Sequence, residues 1–190
     1  MGIVDALKLR RSYYAINKSL PISEADVVSL IETVTELVPD AFNMKSARVA
    51  IALGEKQNEI WDGIYDAFGG KVPREKIDGF KAGAGTVFYF IDEETVAGLA
   101  AQFPDYAENF KSWALQANGM LQHSVWSALR EVNIGANLQH YNPIIDDLVK
   151  RTFGLPAHYT LIAQMPFGGI VSEPEPKAAE DITARVVTAK

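Results

Sequence analysis

Apolar residues recur at two different spacings along this chain, and each spacing predicts a type of secondary structure. After Ser23, apolar side chains fall at helical intervals as far as Leu37, and Pro39 limits this helix. Ser23 suits the N-cap position because its hydroxyl accepts a hydrogen bond from the first turn. A second helical pattern begins at Gly54 and runs to Phe68. Two helices are therefore predicted in the first third of the chain.

Strands are predicted where short apolar, β-branched stretches interrupt the helical patterns. Residues 47–53 form the first of these stretches, and residues 159–165 form the third. Residues 85–91 are apolar at every position, which indicates an interior strand covered on both faces. Residues 182–187 are a candidate for one more strand. Helices and strands mix without strict alternation, so an α+β fold is predicted.

The longest helical pattern runs from Glu108 to Val132 and predicts a helix of about 38 Å at 1.5 Å per residue. Its apolar residues extend beyond one stripe, because Leu115 and Trp126 lie outside the main face. A long helix of this kind is either central to the core or shared with a second subunit. The pattern itself leaves both alternatives open.

Composition narrows the class of protein. The 190 residues, 48% hydrophobic and 22% charged, predict a single globular domain over residues 1–190. Cysteine is absent, which excludes disulfides, thiol nucleophiles and cysteine metal sites and suits a reducing cytoplasm. No signal peptide and no apolar run of about 20 residues is present, so we expect a cytoplasmic protein without a membrane partner. A net charge of −6 without a basic cluster argues against nucleic acid.

An uninterrupted polar run, residues 137–143, joins two apolar elements. Polar runs in such connections often line a functional site. The run ends at Pro143, which predicts the start of a short helix with Asn142 as its cap and with Lys150 and Arg151 in its last turn. The run is therefore a candidate site that leads into a helix.

Four collinear segments together resemble the flavin-binding framework of the nitroreductase family, and they are most similar to the small branch of fatty-acid-repression and copper-induced nitroreductases. The resemblance covers nearly the whole chain, from residue 10 to about residue 185. The segments are Arg10-Arg11-Ser12, residues 42–48, the polar run 137–143 and Phe167-Gly168-Gly169.

This resemblance implies a homodimer with FMN as its cofactor. The implied fold is a mixed, mainly antiparallel sheet flanked by helices, with the long helix at the dimer interface and the tail of residues 170–190 embracing the partner. The implied activity is ping-pong hydride transfer through flavin N5, from NADH or NADPH to nitroaromatics, quinones or similar planar acceptors. The cofactor carries this chemistry, so no catalytic side chain and no metal are expected.

The family's pattern also implies the site residues. In the family, the Arg-Arg-Ser segment contacts the FMN phosphate and ribityl chain, because the planar guanidinium of arginine can bind a phosphate through two hydrogen bonds. On its own, a pair of arginines after a helix is more commonly explained by its favourable interaction with the helix dipole. The backbone near Gln139 and His140 faces flavin N5 and O4, so substituting His140 should impair substrate fit more than flavin reduction, and equal loss in both half-reactions would contradict this. Lys177 or Arg185 reaches the phosphate. The implied ligands are Arg10, Arg11, Ser12, Asn43, Lys45, Ser46, Gln139, His140, Phe167, Gly168, Gly169, Lys177 and Arg185.

Two residues depart from the family's pattern. Tyr14 stands where many relatives carry a basic residue, and Lys45 stands where the family has glutamine. Reduced flavin carries negative charge near N1 and O2, which a nearby cation stabilises. We hypothesise that Lys45 partly replaces the charge missing at Tyr14; an unchanged flavin potential in Lys45→Gln would disprove this.

Two further functions remain open from the sequence. A flavin-binding sensor or regulatory protein would hold FMN with little turnover. A ligand-free structural α+β domain would take up no FMN. Turnover with NAD(P)H and an acceptor distinguishes the enzyme from the sensor.

Overall fold

The computed structural model describes residues 2–189. This part of the chain forms seven α-helices and five β-strands. The helices are α1 (Ile3–Leu9), α2 (Glu24–Leu37), α3 (Gly54–Ala67), α4 (Arg74–Lys81), α5 (Glu93–Gln102), α6 (Ala107–Glu131) and α7 (Asp146–Phe153). The strands are β1 (Ile16–Asn17), β2 (Ala47–Leu53), β3 (Gly85–Asp92), β4 (Ile134–Ala136) and β5 (Tyr159–Ile170). The predicted α+β class is confirmed.

The strands form one antiparallel sheet. Along its main path the order is β1, β5, β3, β2, and β4 pairs with β5 outside this path. β2 begins opposite the end of β3, where Ala47 faces Ile91. β3 begins opposite the later part of β5, where Gly85 faces Phe167. The start of β2 and the end of β5 therefore lie at opposite ends of the sheet.

The predicted interior strand is confirmed, because all eight residues of β3 are buried. Val87 and Tyr89 point to the core that α2 and α6 cover. Phe88 and Phe90 point to the opposite core, which α3, α4 and α7 cover. Since side chains of a strand alternate between faces, an uninterrupted apolar run requires cover on both sides. The sheet is thus the middle layer of the fold.

Ser23 caps α2 as predicted, since its side chain accepts a hydrogen bond from Asp26 N at 3.1 Å. The long helix is also confirmed as α6, with 25 residues. One face of α6 is buried against the sheet, while Leu115 and Met120 on the other face are 47% and 44% exposed. Within the chain, α6 is therefore a core helix that still presents an apolar surface.

The prediction of a helix starting at Pro143 is wrong by three residues. α7 begins at Asp146, with Ile145 as its N-cap residue. Gln164 of β5 explains the delay, because its side chain accepts a hydrogen bond from Tyr141 N at 2.7 Å and donates one to Asn142 Oδ1 at 3.4 Å. These bonds tie the polar run to the sheet, and Asn142 does not cap the helix.

The predicted strand at residues 182–187 is also wrong. The chain forms a 3-10 turn at Ile182–Ala184, where the Asp181 side chain accepts a hydrogen bond from Thr183 N at 3.0 Å. Residues 175–189 are exposed, and within residues 2–189 this segment pairs with none of the five strands. None of the helices in residues 2–189 combines the length and apolar character that crossing a membrane requires.

Candidate functional site

Arg10 lies where α1 ends, as its C-cap residue. Its guanidinium carbon sits 4.4 Å from the centre of the Trp126 ring. Arg10 Nε is buried and has no hydrogen-bond partner within residues 2–189. Burial, and then the positive charge of Arg11, lower the pKa of Arg10. A buried cationic donor without an acceptor is suited to binding an anion.

Arg11 and Ser12 continue this segment next to β4. Ser12 forms a parallel bridge with Ala136, and Tyr13 N donates to the Ala136 carbonyl at 3.0 Å. Arg11 Nη2 donates to the carbonyl of Glu175 at 2.8 Å. The segment is thus held between β4 and the first part of the C-terminal tail.

A buried arginine on α6 anchors the same tail. Arg130 Nε donates to Tyr13 Oη at 3.0 Å, and Tyr13 Oη donates to Glu173 Oε2 at 2.7 Å. Burial, and then the hydrogen bond to Glu173, raise the pKa of Tyr13, so the phenol remains protonated at neutral pH. Arg130 Nη1 also donates to Asn133 Oδ1 at 2.9 Å.

The polar run lies directly beside this segment. Asn137 Nδ2 donates to the carbonyl of Tyr13 at 2.8 Å, and Gln139 Nε2 donates to Asn137 Oδ1 at 2.8 Å. The backbone N–H of Gln139 donates to the Gln164 carbonyl at 2.7 Å, so it is already satisfied. The N–H of His140 makes no hydrogen bond within the described part of the chain, and His140 is exposed. His140 therefore offers the free backbone donor of this pair.

Phe167, Gly168 and Gly169 lie inside β5 and pair with β4. Gly168 and Gly169 are not among the residues with positive φ. They are glycines for lack of space, because an added Cβ would lie 2.2 Å from the carbonyl oxygen of Asn17 at Gly168 and 2.0 Å from that of Ser19 at Gly169. At these two glycines, β5 therefore packs directly against the backbone of β1 and of Ser19, which follows it.

Asn43, Lys45 and Ser46 belong to the loop before β2. Ser46 is buried, and Asp40 Oδ2 accepts hydrogen bonds from its N–H at 3.2 Å and from its hydroxyl at 3.3 Å. Asn43 and Lys45 are exposed and have positive φ. Both line a cavity of about 700 Å³ whose other walls come from α2, α6 and one face of β2. This loop forms a second polar cluster.

The two clusters lie at opposite ends of the sheet. Ser46 O accepts a hydrogen bond from Asp92 N, at the end of β3. Phe167 lies opposite Gly85, at the start of β3. Ile91 lies six positions after Gly85, which corresponds to about 20 Å along a strand. One chain thus places residues 10–12 beside 167–169, places Gln139 at Gln164 three residues away along β5, and leaves residues 43–46 at the far end of the sheet.

The two basic residues of the tail differ in position. Lys177 follows Glu175 by two residues, and the Glu175 carbonyl is bound by Arg11. Arg185 lies further along the exposed tail and donates to Glu180 Oε1 at 2.6 Å. Of the two, only Lys177 is tied by a short stretch of chain to the segment around Arg10.

Sequence reasoning missed several residues around the first cluster. The polar run started at Asn137, whose amide holds the backbone of Tyr13, yet Asn137 was not among the predicted ligands. Trp126, Arg130 and Glu173 carried no local signal of a cofactor site, because their contacts join residues far apart in the chain. Within residues 2–189, no group of three or more histidine and acidic side chains is placed to hold a metal ion.

Comparisons of the sequence and of the structure with known proteins point to the same family. The sequence model of the nitroreductase family matches residues 7–169. The nitroreductase homologue HBN1 of Saccharomyces cerevisiae is 33% identical over 180 residues, which span 92% of this chain and 91% of HBN1. The nitroreductase CinD of Lactococcus lactis, solved in complex with chloramphenicol, has a TM-score of 0.95 and 36% identity over 100% of both chains. CinD has also been solved in complex with 4-nitrophenol.

A more distant structure shares the fold. A nitroreductase from Exiguobacterium sibiricum, solved in complex with FMN, has a TM-score of 0.77 over 100% of this chain and 98% of its own. Its sequence identity is 14%, so this likeness concerns the fold alone.

Proposed function

Because this chain belongs to the nitroreductase family, we propose that it is an FMN-dependent oxidoreductase that uses NADH or NADPH to reduce planar acceptors. The observation that carries this proposal is the buried, unpartnered Nε of Arg10 beside Arg11 and Ser12. A phosphate satisfies such donors well, because an arginine presents several N–H groups in one plane to an anion.

The residues around Arg10 fit the phosphate end of FMN. Arg10 would donate through its free Nε, Ser12 would add a hydroxyl donor, and Lys177 would bring further positive charge. The Trp126 ring beneath Arg10 supports this arrangement, because it holds the guanidinium in place by a cation–π contact. Arg11 is engaged by the Glu175 carbonyl through only one of its donors and retains others for the anion.

The polar run would position the flavin ring. When bound, FMN supplies the redox chemistry, taking a hydride from NADH or NADPH at N5 and passing electrons to the acceptor. The chain's contribution is to orient the ring, and the free N–H of His140 is a suitable donor toward it. Asn137 and Gln139 hold this backbone in place through their side chains.

A homodimer explains why the site residues fall into two clusters. The loop of residues 43–46 lies about 20 Å along the sheet from residues 167–169 of the same chain. In a two-fold dimer, the same surface meets itself, and a residue of one subunit contacts a different residue of the other. We place residues 10–12, 139–140 and 167–169 of one subunit and residues 43–46 of the partner around the same flavin.

Two surfaces support the dimer. The exposed side of α6 carries Leu115, Met120 and Gly119, and an added Cβ at Gly119 would meet nothing within 4 Å. β2 ends the main path of the sheet, and unpaired strand edges bind extended chains readily. The exposed tail is extended enough to embrace a partner in this way, so its apolar residues would be covered there rather than in their own subunit.

The acceptors we propose are nitroaromatics, quinones and similar planar molecules. CinD, at 36% identity over the full chain, binds 4-nitrophenol and chloramphenicol. Around the loop before β2, this chain presents the exposed rings of Phe42 and Tyr106, and flat aromatic faces favour planar ligands.

The visible spectrum of the purified protein tests this function. Flavin absorption that bleaches when NADPH or NADH is added without oxygen is the expected result, and adding a nitroaromatic or a quinone should then restore it. Absorption bands that persist would favour the flavin-binding sensor. No bands after FMN is supplied would refute FMN binding altogether.

A further inference from the structure

The loop before β2 holds an unusual backbone. Phe42, Asn43 and Lys45 have φ values of 56°, 50° and 53°, and none of them is a glycine. Side chains with a Cβ are crowded in this region of backbone conformation. Such conformations persist only where surrounding contacts enforce them. We call residues 42–45 the strained loop.

Arg48 makes the contact that enforces the end of the strained loop. Its Nη1 donates to the carbonyl of Lys45 at 2.5 Å. Its Nη2 is bound to Asp92 Oδ2 at 2.7 Å, and its Nε donates to Tyr159 Oη at 3.0 Å. All three guanidinium nitrogens are therefore engaged, and the guanidinium plane has one orientation.

Other contacts hold Phe42 at the start of the strained loop and Ser46 just after its end. The Phe42 ring stacks on Trp113 with centroids 5.5 Å apart and meets Phe110 edge-on at 5.2 Å. Asp40 holds the backbone of Ser46 just after the loop. Within residues 2–189, Arg48 is the side chain that binds the Lys45 carbonyl.

Lys45 itself is exposed and lines the 700 Å³ cavity. Its ammonium makes no hydrogen bond or ion pair in the described part of the chain. Fixing the carbonyl of a residue fixes its ψ, and together with φ this sets the direction of the Cα–Cβ bond. The direction of the Lys45 Cα–Cβ bond thus depends on the bond from Arg48 to the Lys45 carbonyl, together with the bond from Ser46 N to Asp40 on the other side of the same peptide.

We propose that Arg48 is a positioning residue of the flavin site: clamped by Asp92 and Tyr159, it holds the Lys45 carbonyl and so directs the Lys45 ammonium toward the negative charge of reduced FMN. This rests on the proposed function, because the strained loop would face the flavin of the partner subunit. Lys45 makes the contact with the cofactor, and Arg48 acts through Lys45.

The positioning role depends on the hydrogen-bond geometry of the Arg48 guanidinium rather than on its charge. The Arg48 guanidinium forms an ion pair with Asp92, whose other oxygen lies 3.6 Å from His158 Nε2. The carboxylate of Asp92 therefore offsets the charge of Arg48, and the carboxylate of Glu94 lies 3.2 Å from His158 Nδ1. A lysine at position 48 would keep the charge but would lack the planar fork that reaches three partners at once.

The test measures the affinity of the apoprotein for oxidised FMN and for reduced FMN in wild type and Arg48→Lys. Their ratio reports selective stabilisation of the reduced cofactor and does not require turnover. We expect Arg48→Lys to lower the preference for reduced FMN by about fivefold, the factor that the loss of one unit charge at about 4 Å in water-like surroundings produces. Lys45→Gln should lower it at least as much.

The double variant decides whether Arg48 acts through Lys45. In the Lys45→Gln background, Arg48→Lys should change the preference for reduced FMN no further, because the ammonium that it positions is gone. Arg74→Lys is the matched control: Arg74 also binds carboxylates, those of Asp62 and Asp78, and lies 4.8 Å from the centre of the Tyr65 ring. It should leave the preference unchanged.

A milder variant covers the case in which Arg48→Lys does not fold. Tyr159→Phe removes only the hydroxyl that accepts from Arg48 Nε, and we expect it to lower the preference in the same direction. An unchanged preference in folded Arg48→Lys, or in Tyr159→Phe where that variant alone folds, overturns the positioning role. Independent effects in the double variant overturn it as well. If the wild type binds no FMN, the proposed function fails first and this role falls with it.

Discussion

Arg10 combines burial with an unsatisfied donor. Its guanidinium lies over Trp126, and its Nε has no acceptor in the described residues. A buried donor without a partner costs about 1–3 kcal/mol, more when charged. A protein keeps such a group where a ligand satisfies it, so the cost points to an anion that binds beside Arg11 and Ser12.

Arg10→Gln should therefore weaken FMN binding. A charge-assisted hydrogen bond contributes about 1.5–3 kcal/mol, so we expect the Kd for FMN to rise roughly 10- to 150-fold. Titration of the apoprotein with FMN, followed by fluorescence quenching, measures this. Arg151→Gln is the control, because Arg151 is exposed on α7 away from this segment. Equal Kd values for Arg10→Gln and wild type would contradict the phosphate role.

Two aspartates should affect stability in opposite directions as the pH changes. Burial by itself would raise the pKa of Asp92, but hydrogen bonds from Thr95 and the charges of Arg48 and His158 outweigh it, so the pKa of Asp92 is lowered. A lowered pKa adds stability that is present above the ordinary value of 3.8 and is lost as the pH falls through the folded value. Burial is the main cause that raises the pKa of Asp146, and Asp146 Oδ1 has no partner in residues 2–189.

The measurement is the free energy of unfolding as a function of pH. Asp92→Asn should be destabilising at pH 7, and the deficit should shrink as the pH falls below about 3.8. Asp146→Asn should be stabilising at pH 7, because ionising Asp146 costs stability as the pH rises from its ordinary value of 3.8 through the raised folded value. Parallel curves for Asp92→Asn and wild type at all pH values would show that Asp92 makes no such contribution.

At the scale of elements, β5 is longer than its apolar pattern suggested. It continues through Phe167, Gly168 and Gly169, because β4 pairs with this part of the strand and β1 pairs from Gly169 onward. Glycine is needed here because neighbouring backbone approaches too closely for a Cβ. The strand therefore joins the two short strands that flank the Arg10 segment.

Gly169→Ala should disrupt this junction. The new Cβ would lie 2.0 Å from the Ser19 carbonyl oxygen, and such overpacking costs about 1–3 kcal/mol or more. Gly79→Ala is the control, since an added Cβ there meets nothing within 4 Å and alanine favours the helix by about 1 kcal/mol. Chemical denaturation measures both. Wild-type stability in Gly169→Ala would show that β5 and the Asn17–Ser19 backbone separate easily.

Local patterns predicted some elements and failed at others for a physical reason. The strand at residues 47–53 and the start of α3 at Gly54 agree with the structure, because spacing and burial coincide there. The helix that was predicted to start at Pro143 begins at Asp146, since the side chain of Gln164 binds residues 141 and 142. A hydrogen bond between residues more than 20 positions apart leaves no mark on a local pattern.

At the scale of the whole molecule, the separation of the two polar clusters points beyond one chain. The clusters occupy opposite ends of the sheet, and α6 presents the exposed apolar side chains of Leu115 and Met120. A helix that is buried on one face and apolar on part of the other is suited to self-association. Dimerisation and cofactor binding should therefore be lost together.

Met120→Glu tests this link. A charge on the exposed side of α6 should dissociate the proposed dimer and weaken FMN binding at least tenfold, because burying an unpaired charge costs several kcal/mol. Light scattering coupled to size-exclusion chromatography measures the mass, and an FMN titration measures the affinity. Ala67→Glu, at an exposed position on α3, adds the same charge elsewhere and should remain dimeric. Tight FMN binding by a monomeric Met120→Glu would refute a site shared between subunits.

The amino-acid sequence by itself determined the α+β class, the main helices and strands and the family, because these depend on spacing along the chain and on short collinear motifs. It also predicts Arg10, Ser12 and Lys45 as cofactor ligands, on their residue types and their place in the motifs. Only the tertiary structure decided that Arg10 lies over Trp126, that Arg48 holds the carbonyl of Lys45 and that the motifs separate into two clusters. Such contacts join residues that are distant in the chain or fix backbone angles, and each depends on how the sheet and helices pack.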